Sequence, residues 1–388
     1  MNSKLLAAAF GLFTVAATAQ VTKVGNDTLM DVAGWNTEWF GDTQEGPSNE
    51  ALQYSNIKTV ITNTDMDVWG LAEVSDATTF NNLLADLPTY DGLESSFSQT
   101  QKTAMIWKKS MFELVNYSNV LTAQTYNYDF AGRPPLEVIL KTKGMPIVDT
   151  LYFYVLHLKA NSGNGDQSSY DRRKNAAGFL KTYLDQNRAG KKVFVIGDWN
   201  DDVDESVVYI NTAYLETPFK NFVSDSAHYF YASKRLSQAG EHSYVFASQM
   251  IDHQMISKLM RDSFYVDSSS RVLSQLSTQI SNYGNTTSDH YPVMARYNMK
   301  RYPKLPPTGI MEIGSNAKVT VYPNPASHTI TIESHSTGTV ELFNQLGEMV
   351  FKTNAQANID IGHLPNGIYI IKLSNEEGVA VGKLVVSH

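Results

Sequence analysis

Between Asp31 and Tyr297, short apolar runs alternate with stretches of helical spacing. DVAGWNTEWFG (31–41) mixes apolar and polar residues as a strand does and breaks at glycine. Tyr54, Ile57, Val60 and Ile61 follow at helical spacing, and DVWGLAEV (67–74) is a second short strand that ends near Glu73. Ser75 or Asp76 then caps a helix whose face is Phe80, Leu83, Leu84 and Leu87. This β-α-β-α rhythm predicts a sheet covered by helices. From Thr103 to Thr142 strands crowd together as AMIW, FELVNY and LEVILKT, with Arg133 and two prolines in the turn AGRPPLE. LYFYVLHLK (151–159) reads as a central strand terminating at His157. After the polar loop NSGNGDQSS, a helix with the stripe Ala176, Phe179, Leu180, Tyr183 and Leu184 returns the chain to VFVIGDWNDD (193–202). There a buried strand runs through a glycine and delivers Asp198, Trp199 and Asn200 to a sheet edge, the place where open α/β sheets put chemistry. HSYVF (242–246) and MIDHQMIS (250–257) are expected as neighbouring strands, the second carrying Asp252. TTSDHYPVMARY places Asp289 and His290 directly before a last short strand.

The pattern changes after residue 299. Proline and glycine concentrate in RYPKLPPTGIMEIGS, so residues 300–316 read as a linker. Residues 317–388 carry seven short strands at close intervals, KVTVYP, TITIES, TVELFN, EMVF, NIDI, GIYIIKL and GKLVVS, with no helical period. That spacing predicts a small all-β sandwich of immunoglobulin type. At the other end, Lys4, an apolar run from Leu5 to Ala17, and small residues at Ala17 and Ala19 form the layout of a secretory signal peptide over residues 1–19. The run is shorter than the roughly 20 residues a membrane anchor needs. No other segment is apolar enough to span a bilayer, so the mature protein is expected to be soluble and exported.

Composition narrows the chemistry. The net charge of −8 repels nucleic acid and anionic lipid at long range, so a polyanionic substrate requires a local basic patch or a bound cation. There is no cysteine, which excludes disulfides, thiolate metal sites and a cysteine nucleophile.

The candidates for chemistry are Asn36, Glu38, Glu73, His157, Asp198, Asn200, Asp252, Asp289 and His290, all within or at the end of expected strands. Each has a plain structural alternative. A lone Asn or Glu at a strand end is usually a turn former, and a histidine in an apolar strand is usually a satisfied core residue. Asp289 would then be a cap and Asp252 half of a structural ion pair. If the strand ends converge, however, Glu73, Asp198 and Asp289 form a cluster of like charges that stays ionised only beside a cation. Oxygen ligands without thiolate favour Mg2+, Mn2+ or Ca2+ over zinc, and Mg2+ suits phosphate chemistry best.

The series GWNTEWF, WGLAEV, VLHLK, IGDWN, IDHQMIS and SDHYPV resembles, motif by motif and in the same order, the endonuclease/exonuclease/phosphatase superfamily, which includes DNase I-like nucleases. The resemblance implies an α/β fold, a four-layered sandwich of two facing mixed sheets with helices outside, over residues 20–299. It implies a metal-dependent phosphoesterase site at one edge. Asn36 would contact metal or phosphate, Glu73 would be the principal metal ligand and Asp289 would lie beside the metal. His157 would bind the scissile phosphate or assist the leaving group, and Asp198 and Asn200 would position the attacking water and the phosphate. His290, oriented by Asp252, would act as general base or phosphate ligand, and Arg133 would contact phosphate. Three departures leave the substrate class open: Ala72 stands where glutamine often precedes the metal-binding glutamate, Trp199 replaces a usual phenylalanine, and His253 occupies a place commonly aromatic or aliphatic.

The C-terminal stretches VYPNPAS, LFNQLGEMVF and LPNGIYIIKL resemble the sorting domains that direct cargo through the type IX secretion system of Bacteroidetes. The expected protein is therefore a secreted or cell-surface monomer handed over by that machinery, a phosphodiesterase acting as a nuclease on extracellular DNA or RNA. A phosphatase or phospholipase for lipid or inositol phosphates is the rival within the same chemistry. A noncatalytic binding protein on the same scaffold is the rival outside it. A basic groove of Arg133, Lys159, Arg172 and Arg173 would favour polynucleotide, although Arg172 and Arg173 also read as the solvated face of the helix.

Overall fold

A computed structural model describes residues 20–144, 148–163, 165–299, 320–332, 338–345, 347–355, 358–375 and 378–388. The expected signal segment and linker lie outside these residues. The chain divides into two units, Met1–Lys304 and Leu305–His388.

In the first unit the strands are β1 (Met30–Phe40), β2 (Val68–Val74), β3 (Tyr90–Glu94), β4 (Lys102–Lys108), β5 (Phe112–Asn119), β6 (Leu136–Thr142) and β7 (Thr150–His157). They continue as β8 (Lys192–Asp198), β9 (Glu205–Ile210), β10 (Ala213–Glu216), β11 (Tyr229–Tyr231), β12 (Asp252–Ser257), β13 (Arg271–Val272) and β14 (Val293–Tyr297). Twelve of them form two six-stranded sheets, ordered β13-β14-β1-β2-β4-β3 and β11-β12-β8-β7-β6-β5, while β9 and β10 make a separate hairpin. Each large sheet holds one parallel pair, β1 with β2 and β7 with β8, amid antiparallel neighbours.

The period-two alternation of the strands sorts side chains into layers. Val32, Val68 and Met105 of one sheet meet Val138, Phe153, Val155, Phe194 and Ile196 of the other in a shared core. The opposite faces pack against helices. Ala33, Trp35 and Leu71 meet Ile57, Val60 and Ile61 of the helix Glu50–Thr64 and Phe80 and Leu83 of the helix Ala77–Asp86. Tyr154, Leu156 and Val195 meet Ala176, Leu180 and Leu184 of the helix Gln167–Asn187. The arrangement is helix, sheet, sheet, helix, the expected four layers. Asp76 is the residue that caps the second helix, its Oδ1 accepting from the Thr79 amide at 2.7 Å.

One end of the interface between the sheets is a seam of glycines. A Cβ on Gly34 of β1 would stand 3.0 Å from the Gly197 nitrogen of β8, and one on Gly70 of β2 would stand 2.6 Å from Ile196 Cδ1. Gly197 has φ +122 and its Cβ would fall 2.4 Å from the Leu156 carbonyl oxygen. The sheets therefore touch backbone to backbone just before their functional ends.

One expected element differs. HSYVF is not a strand: it is a loop held by an isolated bridge from Tyr244 to His290, and β12 begins only at Asp252. The second unit contains the seven expected strands, β15 (Val321–Tyr322), β16 (Thr329–Ile332), β17 (Thr339–Phe343), β18 (Met349–Asn354), β19 (Ile359–Asp360), β20 (Gly367–Asn375) and β21 (Gly378–Val386). They form sheets β15-β16-β19 and β18-β17-β20-β21 around a core that includes Ile330, Val340, Leu342, Ile371 and Leu384. No helix among the described residues is long and apolar enough to cross a membrane.

Gly197→Ala should lower the unfolding free energy by about 3 kcal/mol, through overpacking and an unfavourable φ. Denaturant titration of the purified protein measures it.

Candidate active site

Strand register explains why distant residues meet. His157 pairs with Asp198 in the parallel β7-β8 ladder, and Asp198 pairs with Asp252 in the antiparallel β8-β12 ladder. The three residues form a row across the last rung of one sheet. The facing sheet contributes Asn36 from β1 and Glu73 from β2, and the segment before β14 contributes Asp289 and His290.

The Asn36 amide joins the two sheets. Its Nδ2 donates to Glu73 Oε1 at 3.0 Å and to Asp198 Oδ2 at 2.9 Å. The other carboxylate oxygen of Glu73 accepts from the Trp39 amide at 3.0 Å. His157 Nε2 lies 3.4 Å from Glu73 Oε1 and 3.7 Å from Asp198 Oδ2. On the other side of Asp198, His290 Nδ1 bonds Asp252 Oδ2 at 2.7 Å and its Nε2 lies 3.7 Å from Asp289 Oδ1. Asp198 thus belongs to two groups able to hold a cation, with Glu73 and His157 and with Asp252 and His290.

Burial sets the charges. It pushes Asp198 up to about 7, with the Asp252 charge adding to it, and Glu38 up to about 8, with Asp289 adding to it. Burial likewise raises Glu73 and Asp289. It holds the His157 imidazole well below the ordinary value, a direction that Arg133 reinforces. For His290 burial opposes the charge, but Asp252 and Asp289 outweigh it and keep the ring protonated well above the ordinary range. The orienting pair therefore presents a donor at Nε2.

The site is fixed from behind. Trp35 Nε1 and the Tyr283 hydroxyl both donate to the His290 carbonyl, at 3.0 and 2.7 Å. Ser288 Oγ donates to the Asn36 carbonyl at 2.6 Å and accepts from the His290 amide at 3.0 Å. Gln53, fully buried, donates to the carbonyls of Thr37, Glu38 and Thr287. This ties the left-handed bend at Glu38 and Trp39 to the loop before His290. Glu38 Oε2 accepts from the Asp289 amide at 2.9 Å. The linear pattern gave no signal for Gln53 or Ser288, because both act through backbone carbonyls.

Asn200 and Arg133 reach one carbonyl, that of Leu158, at 3.1 and 2.9 Å. Arg133 also donates to the His157 carbonyl at 3.0 Å and to Gln101 Oε1 at 2.7 Å. Among the described residues it has no ion pair, and burial lowers its pKa.

The expected basic groove is corrected in part. Arg173 is wholly buried and pairs with Asp201 at 2.7 Å behind the site. Arg172 is engaged with the Tyr128 carbonyl and stacks on that ring at 4.3 Å. Lys159 remains near, its pKa lowered by burial and by the charges of Arg172 and Arg133. His253 is structural: its Nδ1 meets Ser233 Oγ at 2.9 Å, its Nε2 meets the Asp201 and Met250 carbonyls, and burial pushes it down to about 4. Trp199 fills the outer core edge to face against Phe219 at 5.0 Å.

Residues 33–290 match the model of the Endonuclease/Exonuclease/phosphatase family, and residues 320–387 match the Secretion system C-terminal sorting domain. The chain belongs to the endonuclease/exonuclease/phosphatase family. That makes it a phosphoesterase hydrolase of a family that uses divalent metals, with a tail for type IX secretion to the cell surface or beyond. Among solved structures it is similar to TDP2 of D. rerio complexed with a single-strand DNA product, at 14% identity and TM-score 0.52, covering 70% of this chain and 100% of that one. Humanized D. rerio TDP2 gives 15% identity and TM-score 0.52 over 70% of this chain and 99% of that one. The family protein from Bacteroides vulgatus gives 15% identity and TM-score 0.51 over 70% and 98%. At such identity these likenesses speak for the fold alone. A comparison with curated proteins found no significant match.

Asp252→Asn should lower the His290 pKa, since the largest charge and the hydrogen bond that oppose burial are lost while only Asp289 and Asp198 remain to offset it. Imidazole NMR titration of the metal-free protein reads the change directly.

Proposed function

We propose that this protein is a secreted, divalent-cation-dependent phosphodiesterase, a nuclease that hydrolyses extracellular DNA or RNA. The observation that carries the reading is the position of Asp198, hydrogen-bonded through Asn36 to Glu73 on one side and neighbouring the Asp252 and His290 pair on the other. The donor set fits a hard cation. It consists of carboxylate oxygens with imidazole and no thiolate, and burial disfavours the carboxylate charges unless a cation offsets them. Glu73, Asn36 and Asp289 would hold Mg2+, or Mn2+ or Ca2+, which supplies offsetting charge for phosphate oxygens and activates water.

The chain's own residues divide the remaining work. Charged His290 donates from Nε2 to a nonbridging phosphate oxygen. Asp198, with its ordinary range shifted to about 7, accepts the proton of the attacking water, whose oxygen bonds to phosphorus as the leaving P–O bond breaks. Asn200 and Asp198 orient that water. Neutral His157 would hydrogen-bond the leaving oxygen, which takes its proton from solvent water, and Arg133 supplies a cation for the neighbouring phosphate.

The test is a panel of plasmid DNA, RNA, a simple phosphodiester and a phosphomonoester, each with Mg2+, Ca2+ or chelator. Cleavage of polynucleotide with Mg2+ and its loss with chelator are expected; hydrolysis of none of the four leaves a binding protein. Glu73→Ala and His290→Ala should each cut turnover at least about 100-fold with folding intact, and near-normal turnover removes that residue from the mechanism.

Metal affinity should depend on pH. Asp198, which belongs to both groups able to hold a cation, holds a proton below about 7 in the metal-free protein, and burial raises Glu73 and Asp289 as well. A cation must displace those protons, so Mg2+ affinity should rise as pH rises through that value. Calorimetry in two buffers of different ionisation enthalpy counts the protons released; a flat profile contradicts the assignment.

A further inference from the structure

The loop that carries HSYVF, residues 242–249, is tied to the reaction centre on two sides. The Ser243 hydroxyl, fully buried, accepts from the Ile251 and Asp252 amides, each at 3.0 Å. Opposite, the Val245 amide donates to the Asp289 carbonyl and the Tyr291 amide donates to the Ser243 carbonyl, both at 2.7 Å. The Gln249 carbonyl closes the loop by accepting from the amides of Ser243 and Tyr244. Bonded to Asp252 and to the residues on either side of His290, the loop holds its side chains at set distances from the imidazole.

Those side chains form a row of rings. Tyr244 meets the His290 ring edge to face at 5.4 Å, and Phe246 meets Tyr244 in the same way at 6.0 Å. Exposure rises along the row, from 5% at His290 through a half-buried Tyr244 to 57% at Phe246, so the row leads from the site to solvent. Burial and the Asp289 charge push the Tyr244 hydroxyl above its ordinary value, so that ring stays neutral. The Phe246 ring has a seat: a Cβ on Gly284 would stand 2.9 Å from its Cζ, so the ring edge rests where only glycine leaves room. Single exposed apolar residues are ordinary on protein surfaces. This one is held by two neighbours and stands two rings from the imidazole assigned to the phosphate.

Such a ring offers a flat, apolar face. Residues 242–250 contain no lysine, arginine or carboxylate, so the loop recognises a face and not a charge. Nucleobases stack on aromatic side chains whatever the sequence, because every base has a π-face. A lipid surface is a poorer match: insertion calls for several exposed apolar side chains with basic neighbours, and Phe246 is the one large apolar side chain exposed among residues 242–250. We propose that Phe246 is a stacking platform for a base adjoining the phosphate that His290 holds, and that the strand it takes is unpaired. In a duplex each base is already covered by its neighbours, and freeing one costs unstacking and unpairing energy. The inference rests on the nuclease reading and deepens it, by naming the form of polynucleotide.

The experiment compares the full chain with Phe246→Ala and with Phe246→Leu, which keeps apolar bulk without a ring. With Mg2+ present, kcat/KM is measured for a single-stranded oligonucleotide, for the same sequence as a duplex and for a strand of equal length built from tetrahydrofuran abasic residues. Fluorescence anisotropy of the labelled single strand reads binding, and cosedimentation with vesicles of phosphatidylcholine and phosphatidylserine probes a lipid surface. The wild type should cleave the single strand at least about 10-fold better than the duplex or the abasic strand. Both variants should lose about 10-fold on the single strand, while activity on the abasic strand and the thermal midpoint hold. An unchanged ratio of single-strand to abasic activity in Phe246→Ala, or wild-type behaviour of Phe246→Leu, overturns the proposal; vesicle binding that Phe246→Ala abolishes then assigns the ring to a lipid surface. Cleavage of none of the three strands overturns the nuclease reading instead. The platform is then decided by anisotropy: a single strand bound more weakly by Phe246→Ala supports it, and equal binding rejects it.

Discussion

At one end of this sandwich, two sheets approach so closely that glycine backbone meets glycine backbone. Gly34 lies against Gly197, and that contact sets the distance over which Asn36 can reach both Glu73 on its own sheet and Asp198 on the other. Hydrogen bonds weaken steeply with small displacements, so a separation wider by a methyl group would leave Asn36 bound to one side only. Trp35, Ser288 and Gln53 then lock the flanking segments to one another through backbone carbonyls. Interiors packed at this density do not deform continuously, so the site inherits the rigidity of the seam.

Placing carboxylates there carries an electrostatic cost that the fold distributes among partners. Asp252 is balanced by His290 at 2.7 Å, and Asp201 by Arg173 at 2.7 Å, each pair beside the site. Glu73, Asp198 and Asp289 are not balanced in this way, and burial raises all three. The imbalance is local and directional: negative groups converge on one spot while Arg133, unpaired, stands beside it. Such a layout suits a cation held next to a phosphate.

Much of this was legible in the chain, because buried strands announce themselves as apolar runs and the reactive residues stop those runs. Glu73, His157 and Asp198 were found in that way. The row of His157, Asp198 and Asp252 across one sheet was not, since register depends on pairings between distant segments. HSYVF misled because its alternation is that of a strand, although only Tyr244 finds a ladder partner. Arg173 misled because a charged residue on a helix reads as solvated, while here Asp201 lies behind the helix to receive it. Gln53 and Ser288 belong to ordinary polar types, and only the folded backbone reveals what they hold. The hairpin of β9 and β10 escaped notice because exposed strands have little apolar signal.

The first and last long segments of the catalytic unit lie side by side, β1 pairing with β14 from Met30 with Tyr297 to Gly34 with Val293. Asn36 and Ser288, joined by a hydrogen bond, are 252 positions apart in the chain. A polypeptide still emerging from the ribosome, or one cut short before its final strand, therefore lacks the residues that pair with β1 and cannot close the cluster around Asn36.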